Sequence, residues 1–111
     1  MTTTVVNIIP PKLAEAAGTP QYTAVNCKCI IDKFTATNIS AANVTFTVFL
    51  VPSTGAAGAA NTAISARAIA PGETYTCPEL VGQVLESGGS IVTNAGTASA
   101  LSINAAGRQI T

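Results

Sequence analysis

The chain contains no histidine and no tryptophan, and only 9% of its residues are charged. Without histidine the usual general base is missing, and with it the common Ser-His-Asp and Cys-His nucleophilic arrangements. A closed zinc site wants four ligands, which three cysteines and no histidine do not supply. The five carboxylates, Glu15, Asp32, Glu73, Glu79 and Glu86, could form a glycosidase pair in principle, but nothing around them marks any as buried or paired. Asp32 beside Lys33 reads as a solvated strand pair. The glycines form neither G-x-G-x-x-G nor a Walker loop, because Gly55-Ala-Ala-Gly58 is not followed by Lys-Ser/Thr. No catalytic residue, metal site or cofactor is therefore expected, and the chain does not read as an enzyme.

Positive charge is equally thin. Lys12, Lys28, Lys33, Arg67 and Arg108 are scattered along the chain, whereas phosphate binding needs clustered cations, so nucleic acid is not an expected partner. No apolar run approaches the roughly 18 residues needed to cross a bilayer, and no membrane partner is expected. The Met1-Thr-Thr-Thr start lacks a charged region followed by an apolar one, which points to synthesis in a cytoplasm without secretion. Asn38-Ile-Ser and Asn43-Val-Thr match the glycosylation acceptor, yet read better as turn and strand polar residues. Aromatics are few: Tyr22, Phe34, Phe46, Phe49 and Tyr75 suit a core better than a stacking platform.

What is present is a chain of 111 residues with net charge zero, pI about 6.1 and positive mean hydropathy. A free monomer keeps apart from its neighbours through a charged surface and a net charge away from zero. This chain has neither: either its exposed faces are dressed in neutral, wet Thr, Ser, Asn and Ala, or, as is expected here, much of the surface is covered by other subunits, including copies of itself in a dimer or trimer.

The centre of the pattern is Ile30 to Pro52, read as strands Ile30–Thr37 and Asn43–Val51 forming a hairpin through Asn38-Ile39-Ser40-Ala41-Ala42. Val44, Phe46, Val48 and Leu50 alternate with Thr45 and Thr47, the period-two signature of a sheet with one buried side. Ahead of it, residues 1–20 read as an N-terminal arm or extended segment, whose strand could add to a sheet edge, its own or a neighbour's. Thr4–Ile9 is strand-like, Pro10-Pro11 is expected to stop it, and Lys12–Ala17 has room for one helical turn. Tyr22–Cys29 is a further strand. Pro52–Asn61 is a loop of small residues, of a length at which partner contacts are common. Thr62–Ala70 alternates again, with Ile64, Ala66, Ala68 and Ala70 on one face. Pro71-Gly72 suits a type II turn. Glu73–Cys77 is a short strand, Pro78–Gly82 a single turn of helix or 3₁₀ with Leu80 and Val81 closing the core, and Ser87-Gly88-Gly89 a turn. Ser99–Ala105 and Arg108–Thr111 complete the chain, separated by Gly107. Seven to nine short strands with turns at intervals near ten residues predict an all-β fold: an antiparallel β-sandwich or jelly roll over residues 21–111.

The three cysteines, Cys27, Cys29 and Cys77, read mainly as buried free thiols. Cys27 and Cys29 are expected to point to opposite faces of one strand and so not to bond each other. A disulfide from either to Cys77 or to a neighbouring subunit stays open.

Phe34-Thr-Ala-Thr-Asn-Ile-Ser40, Phe49-Leu-Val-Pro52, Ile69-Ala-Pro-Gly-Glu-Thr-Tyr75, Glu79-Leu-Val-Gly82 and Ala105-Ala-Gly-Arg108 together resemble small virion structural proteins of tailed bacteriophages. The resemblance spans residues 30–111 and is strongest toward capsid cement or decoration proteins of β-sandwich type. It implies a virion protein, made in a bacterial cytoplasm, that sits outside the head and bridges neighbouring major capsid subunits. On that reading the capsid contacts would be Val5, Val6, Ile8, Ile9, Pro10 and Pro11 of the arm and Gly55 and Gly58 of the loop. Neck, head–tail connector and tail-ring components share this shape, and a carbohydrate-binding module using Tyr22 and Tyr75 is a further alternative.

Overall fold

The computed structural model describes residues 2–111. Among these residues there are nine β-strands, one turn of 3₁₀ helix at Ala59–Asn61, and no α-helix. The strands are β1 (Thr3–Leu13), β2 (Thr19–Thr23), β3 (Lys28–Asn38), β4 (Val44–Val51), β5 (Thr62–Ile69), β6 (Thr74–Tyr75), β7 (Val84–Leu85), β8 (Ser90–Ala95) and β9 (Leu101–Ile110). All pairings are antiparallel. The fold is all-β, as the alternation predicts.

Two sheets face each other. One has the order β1-β9-β3-β6, with β7 also paired to β3; the other has the order β2-β8-β4-β5. The chain can be traced as one long hairpin whose arms pair in nested fashion: β4 with β5, β3 with β6 and β7, β2 with β8, and β1 with β9. Rolling that ribbon up adds β3·β9 and β4·β8 and closes the sandwich. This nesting is a jelly roll, with one strand broken into β6 and β7.

The expected β3–β4 hairpin is corrected. β3 lies in one sheet and β4 in the other, so Ile39–Asn43 crosses between layers. Asn38, fully buried, fixes the crossing: its Nδ2 donates to the Ala42 and Ile69 carbonyls at 2.7 and 2.8 Å, and its Oδ1 accepts from the Ser40 N–H and hydroxyl. The next crossing runs through Ala70-Pro71-Gly72-Glu73, where Gly72 takes φ +77° and Glu73 N–H donates to the Ala70 carbonyl, as expected for a type II turn.

Bulges explain where simple alternation fails. In β3 the inward residues are Cys29 and Ile31 before the register shift at Asp32, and Phe34 and Ala36 after it. In β5, Ala66 at φ +45° marks a bulge, so Ile64 and Ile69 are both buried although five residues apart, while Ala66 and Ala68 are exposed. Pro10-Pro11 do not stop β1. It is an edge strand paired only with β9, and the prolines fall in the register shift between Ile9 and Lys12, where no ladder N–H is demanded of them. Nor do Lys12–Ala17 form a helical turn; β1 runs to Leu13, and the chain then passes to β2. Pro78–Gly82 makes successive turns instead of a helix, with Leu80 buried and Val81 exposed. Gly107 lies inside β9 and does not end it. A side chain there would collide with the Ile30 carbonyl, so glycine permits the close approach of β3.

The core lies between the sheets. Phe34 and Phe46, with ring centroids 6.1 Å apart, link them, surrounded by Ile9, Ile31, Ile69, Leu80, Ile91, Leu101 and Ile103. Six of the eight connections cross between sheets, which places the loops at two poles. One pole is fastened by Asn38; the other carries the chain ends, where Thr2 and Thr111 exchange backbone hydrogen bonds of 3.0 and 2.9 Å.

Candidate functional site

The expected N-terminal arm, residues 1–20, is an integral strand of the sandwich over its described part; Met1 lies outside the described residues. Ile8 and Ile9 are 3% and 1% exposed and belong to the chain's own core, and Val6 packs against it. Consecutive burial of Ile8 and Ile9 is possible because the register shifts between Val6 and Ile9. Of the arm residues assigned to capsid contact, Val5, Pro10 and Pro11 therefore remain at the surface; of the loop residues, Gly55 is exposed and Gly58 half-buried.

Val5, 77% exposed, heads a row across the outer face of the β1-β9-β3 sheet. Its partner on β9 is Arg108, Arg108 lies opposite Ile30 on β3, and Ile30 lies opposite Val84 on β7. At sheet spacing this row runs about 14 Å from one edge to the other. Val84 is 49% exposed and Ile30 half-buried, so the row is apolar apart from Arg108. The Arg108 guanidinium is held by Asp32, with Nε and Nη2 at 3.0–3.2 Å from the carboxylate oxygens. That pair neutralises the one charge in the row. Lys28–Glu86 at 3.6 Å and Lys12–Glu15 at 3.1 Å are likewise paired. Toward the Asn38 pole the same face carries the exposed Lys33 and then turns polar, with Thr37 and Thr74 hydroxyls 2.9 Å apart.

The row meets a shallow groove of about 150 Å³ lined by Leu50, Val51, Pro52, Ser53, Val84, Leu85, Glu86 and Gly89. The groove exists because β5 pairs with β4 only as far as Phe49, leaving Leu50 and Val51 with one open flank. Beside it begins the Pro52–Asn61 loop. This loop is built, not formless. Gly55 N–H donates to the Pro52 carbonyl at 3.0 Å, Gly58 N–H donates to Asn61 Oδ1 at 3.1 Å, and Asn61 Nδ2 donates to the Ala56 carbonyl at 2.8 Å. Its residues from Pro52 to Ala57 are exposed. The first half of β1 and the loop, assigned separately from the sequence, thus flank one continuous, nearly uncharged surface at the pole of the chain ends. Ile30, Val84 and Ile110 complete it. The sequence carries their alternation, but only the pairing of β7 with β3 and of β9 with β1 shows that they adjoin Val5.

The three cysteines are free and buried. Cys27 and Cys29 both point inward with exposed Lys28 between them, so the expectation of opposite faces is corrected: residues two apart in an extended chain share a face. Burial raises the Cys29 thiol and pushes Cys77 to about 12, which makes thiolate chemistry at neutral pH remote. Tyr22 is half-buried and accepts from Gln109 Nε2 at 2.7 Å; burial pushes its phenol to about 12. Tyr75 is 8% exposed, donates its hydroxyl to Glu79 and lies under the Arg67 guanidinium, 4.4 Å from the ring centre. Burial first and Glu79 second push Tyr75 to about 12, and the same hydrogen bond lowers Glu79.

Among the described residues, no three or more of His, Cys, Asp and Glu gather as a metal site, and no helix is long and apolar enough to cross a membrane. All five aromatic side chains are buried or half-buried. No protein-family model, no curated protein and no solved structure matches the chain, so a reading of its role rests on this surface and on the fold that presents it.

Proposed function

We propose that this chain is a structural subunit of a virion, a cement or decoration protein that binds the outside of a phage capsid and stabilises contacts between major capsid subunits. The observation that carries the reading is the surface at the pole of the chain ends: an apolar row and a hydrogen-bonded loop on a jelly roll, with Arg108 and Lys28 paired to Asp32 and Glu86. Such a face suits burial between uncharged neighbours and gives little purchase to charged ligands. Jelly rolls recur in viral shells, although they also serve lectins and cupins, so the fold alone supports the role only by analogy. Lectin use has weaker support, since neither Tyr22 nor Tyr75 offers an open ring face.

Because β1 is part of the domain, bridging falls to the row and the Pro52–Asn61 loop and not to a detached arm. Each bound copy adds buried area only to the assembled shell, which raises shell stability through linkage. A neck, connector or tail ring is the second reading, favoured by the same uncharged face.

The test is binding of purified protein to expanded heads lacking it, followed by copy counting. Saturation at hundreds of copies, higher resistance of the heads to heat, and loss of retention with paired Ala56→Asp and Ala57→Asp changes are the expected results. A dozen copies or fewer would transfer the protein to a ring. Absence of binding to any virion part would overturn the proposal.

A further inference from the structure

Among the described residues, every sheet edge is guarded except one stretch. β2 is five residues long and interrupted by a register shift beside Pro20; β5 carries two register shifts and Arg67; β6 and β7 have two residues each. Along β1, the stretch from Asn7 to Leu13 has two register shifts, Pro10-Pro11 and Lys12. These are the devices by which edges avoid pairing with other chains. The remaining stretch, Thr3–Val6, keeps a regular register with β9, has no charge and no proline, and exposes Val5.

The direction of its free backbone groups follows from the chain ends. Thr2 and Thr111 exchange both backbone hydrogen bonds, so in an antiparallel ladder Thr4 and Val6 also bond β9. The N–H and C=O of Thr3 and Val5 therefore point away from the sheet. We propose that this edge pairs with the same edge of a second copy, antiparallel across a twofold axis centred on Val5. The two Val5 residues exchange a reciprocal pair of hydrogen bonds, and two five-stranded sheets become one. The occupant is a second copy because the edge is self-complementary. Val5 meets Val5 on the outer face, the apolar rows ending in Val84 run on into each other, and the nearest cations, Arg108 of each copy, are neutralised by Asp32. A seam confined to Thr3–Val6 falls short of the roughly 1,200 Å² of a stable dimer, so association is weak and concentration-dependent in free solution. This inference does not depend on the virion reading, and it selects a dimer where the composition left dimer or trimer open.

The test combines sedimentation velocity with amide exchange on the intact chain from tens of micromolar to about one millimolar. A monomer–dimer equilibrium is expected, with exchange at the Val5 amide slowing as concentration rises while that at Thr4, already bonded to β9, stays constant. Val5→Pro removes an N–H that the monomer does not use, and Val5→Lys places like charges across the axis. Both should abolish the dimer while leaving the thermal transition of the monomer in place. The proposal is overturned by a wild-type chain that stays monomeric throughout, by a trimer, by concentration-independent exchange at Val5, or by a dimer that survives in both variants.

Discussion

Asn38 illustrates how much one side chain can govern here. Its amide satisfies four polar groups from the β3–β4 connection and from Ile69 in a site without solvent. Asn38→Ala should cost about 2–4 kcal/mol in urea unfolding, because the buried Ile69 carbonyl loses its partner and a small cavity opens. Asn38→Asp tests the electrostatics. An ionised carboxylate would face the Ala42 and Ile69 carbonyls, so its folded-state pKa rises above the ordinary ~3.9; stability should be kept below that pH and lost as pH rises through the folded value. Two further expectations belong at this scale. Tyr75 and Cys77 are raised from 10.0 and 9.0 to about 12 by burial, so the folded state retains protons that the unfolded chain releases. Their contribution is fully present below about pH 9 and falls between there and about pH 12, and the midpoint of denaturation should decline across that window, less steeply in Tyr75→Phe. All three thiols should be inert to a disulfide exchange reagent in the folded protein and react together on unfolding.

At the scale of the elements, β1 decides between an arm and a strand. Removing residues 2–9 takes away Ile8, Ile9 and the outer partner of β9, so thermal unfolding should shift down by tens of degrees or folding should fail, whereas Val5→Lys alone should leave it nearly unchanged. Most of the strands were legible, the exception being Tyr22–Cys29, where β2 ends at Thr23, β3 begins at Lys28 and the chain between them crosses from one sheet to the other. Val44, Phe46 and Val48 alternate as their buried face requires, Pro71-Gly72 turns as its residues dictate, and the small-residue loop at Pro52–Asn61 is a loop. What misled was local chemistry read without its neighbours. Pro10-Pro11 break a central strand but not an edge at a bulge, and Gly107 looks like an ending until β3 is laid against it. Partners were not legible either. Alternation fixes which face a residue takes but not which strand lies beside it, so the β3–β4 crossing passed for a hairpin and the row from Val5 to Val84 was invisible. Half of the candidate surface, Val5 and the loop, was named from the resemblance to virion proteins; the half that joins them came from the pairings Val5–Arg108, Ile30–Arg108 and Ile30–Val84, each between residues far apart in the chain.

For the molecule as a whole, the nested pairing sets the order of dependence: the β4–β5 turn is local, and every later pair spans more of the sequence. Folding should accordingly be slow for this size, on the order of milliseconds to seconds. The mutual bonds between Thr2 and Thr111 have a different consequence. A linker of a few residues would close the backbone into a ring, and cutting that ring within the exposed Ala56–Ala57 stretch would give a permuted chain in which the widest-spanning pair becomes the tightest turn. Such a permutant should reach the same far-ultraviolet circular dichroism with faster refolding. Anything genetically attached to either end leaves from a single spot, so two passengers would be held side by side on one pole while the opposite tip stays bare.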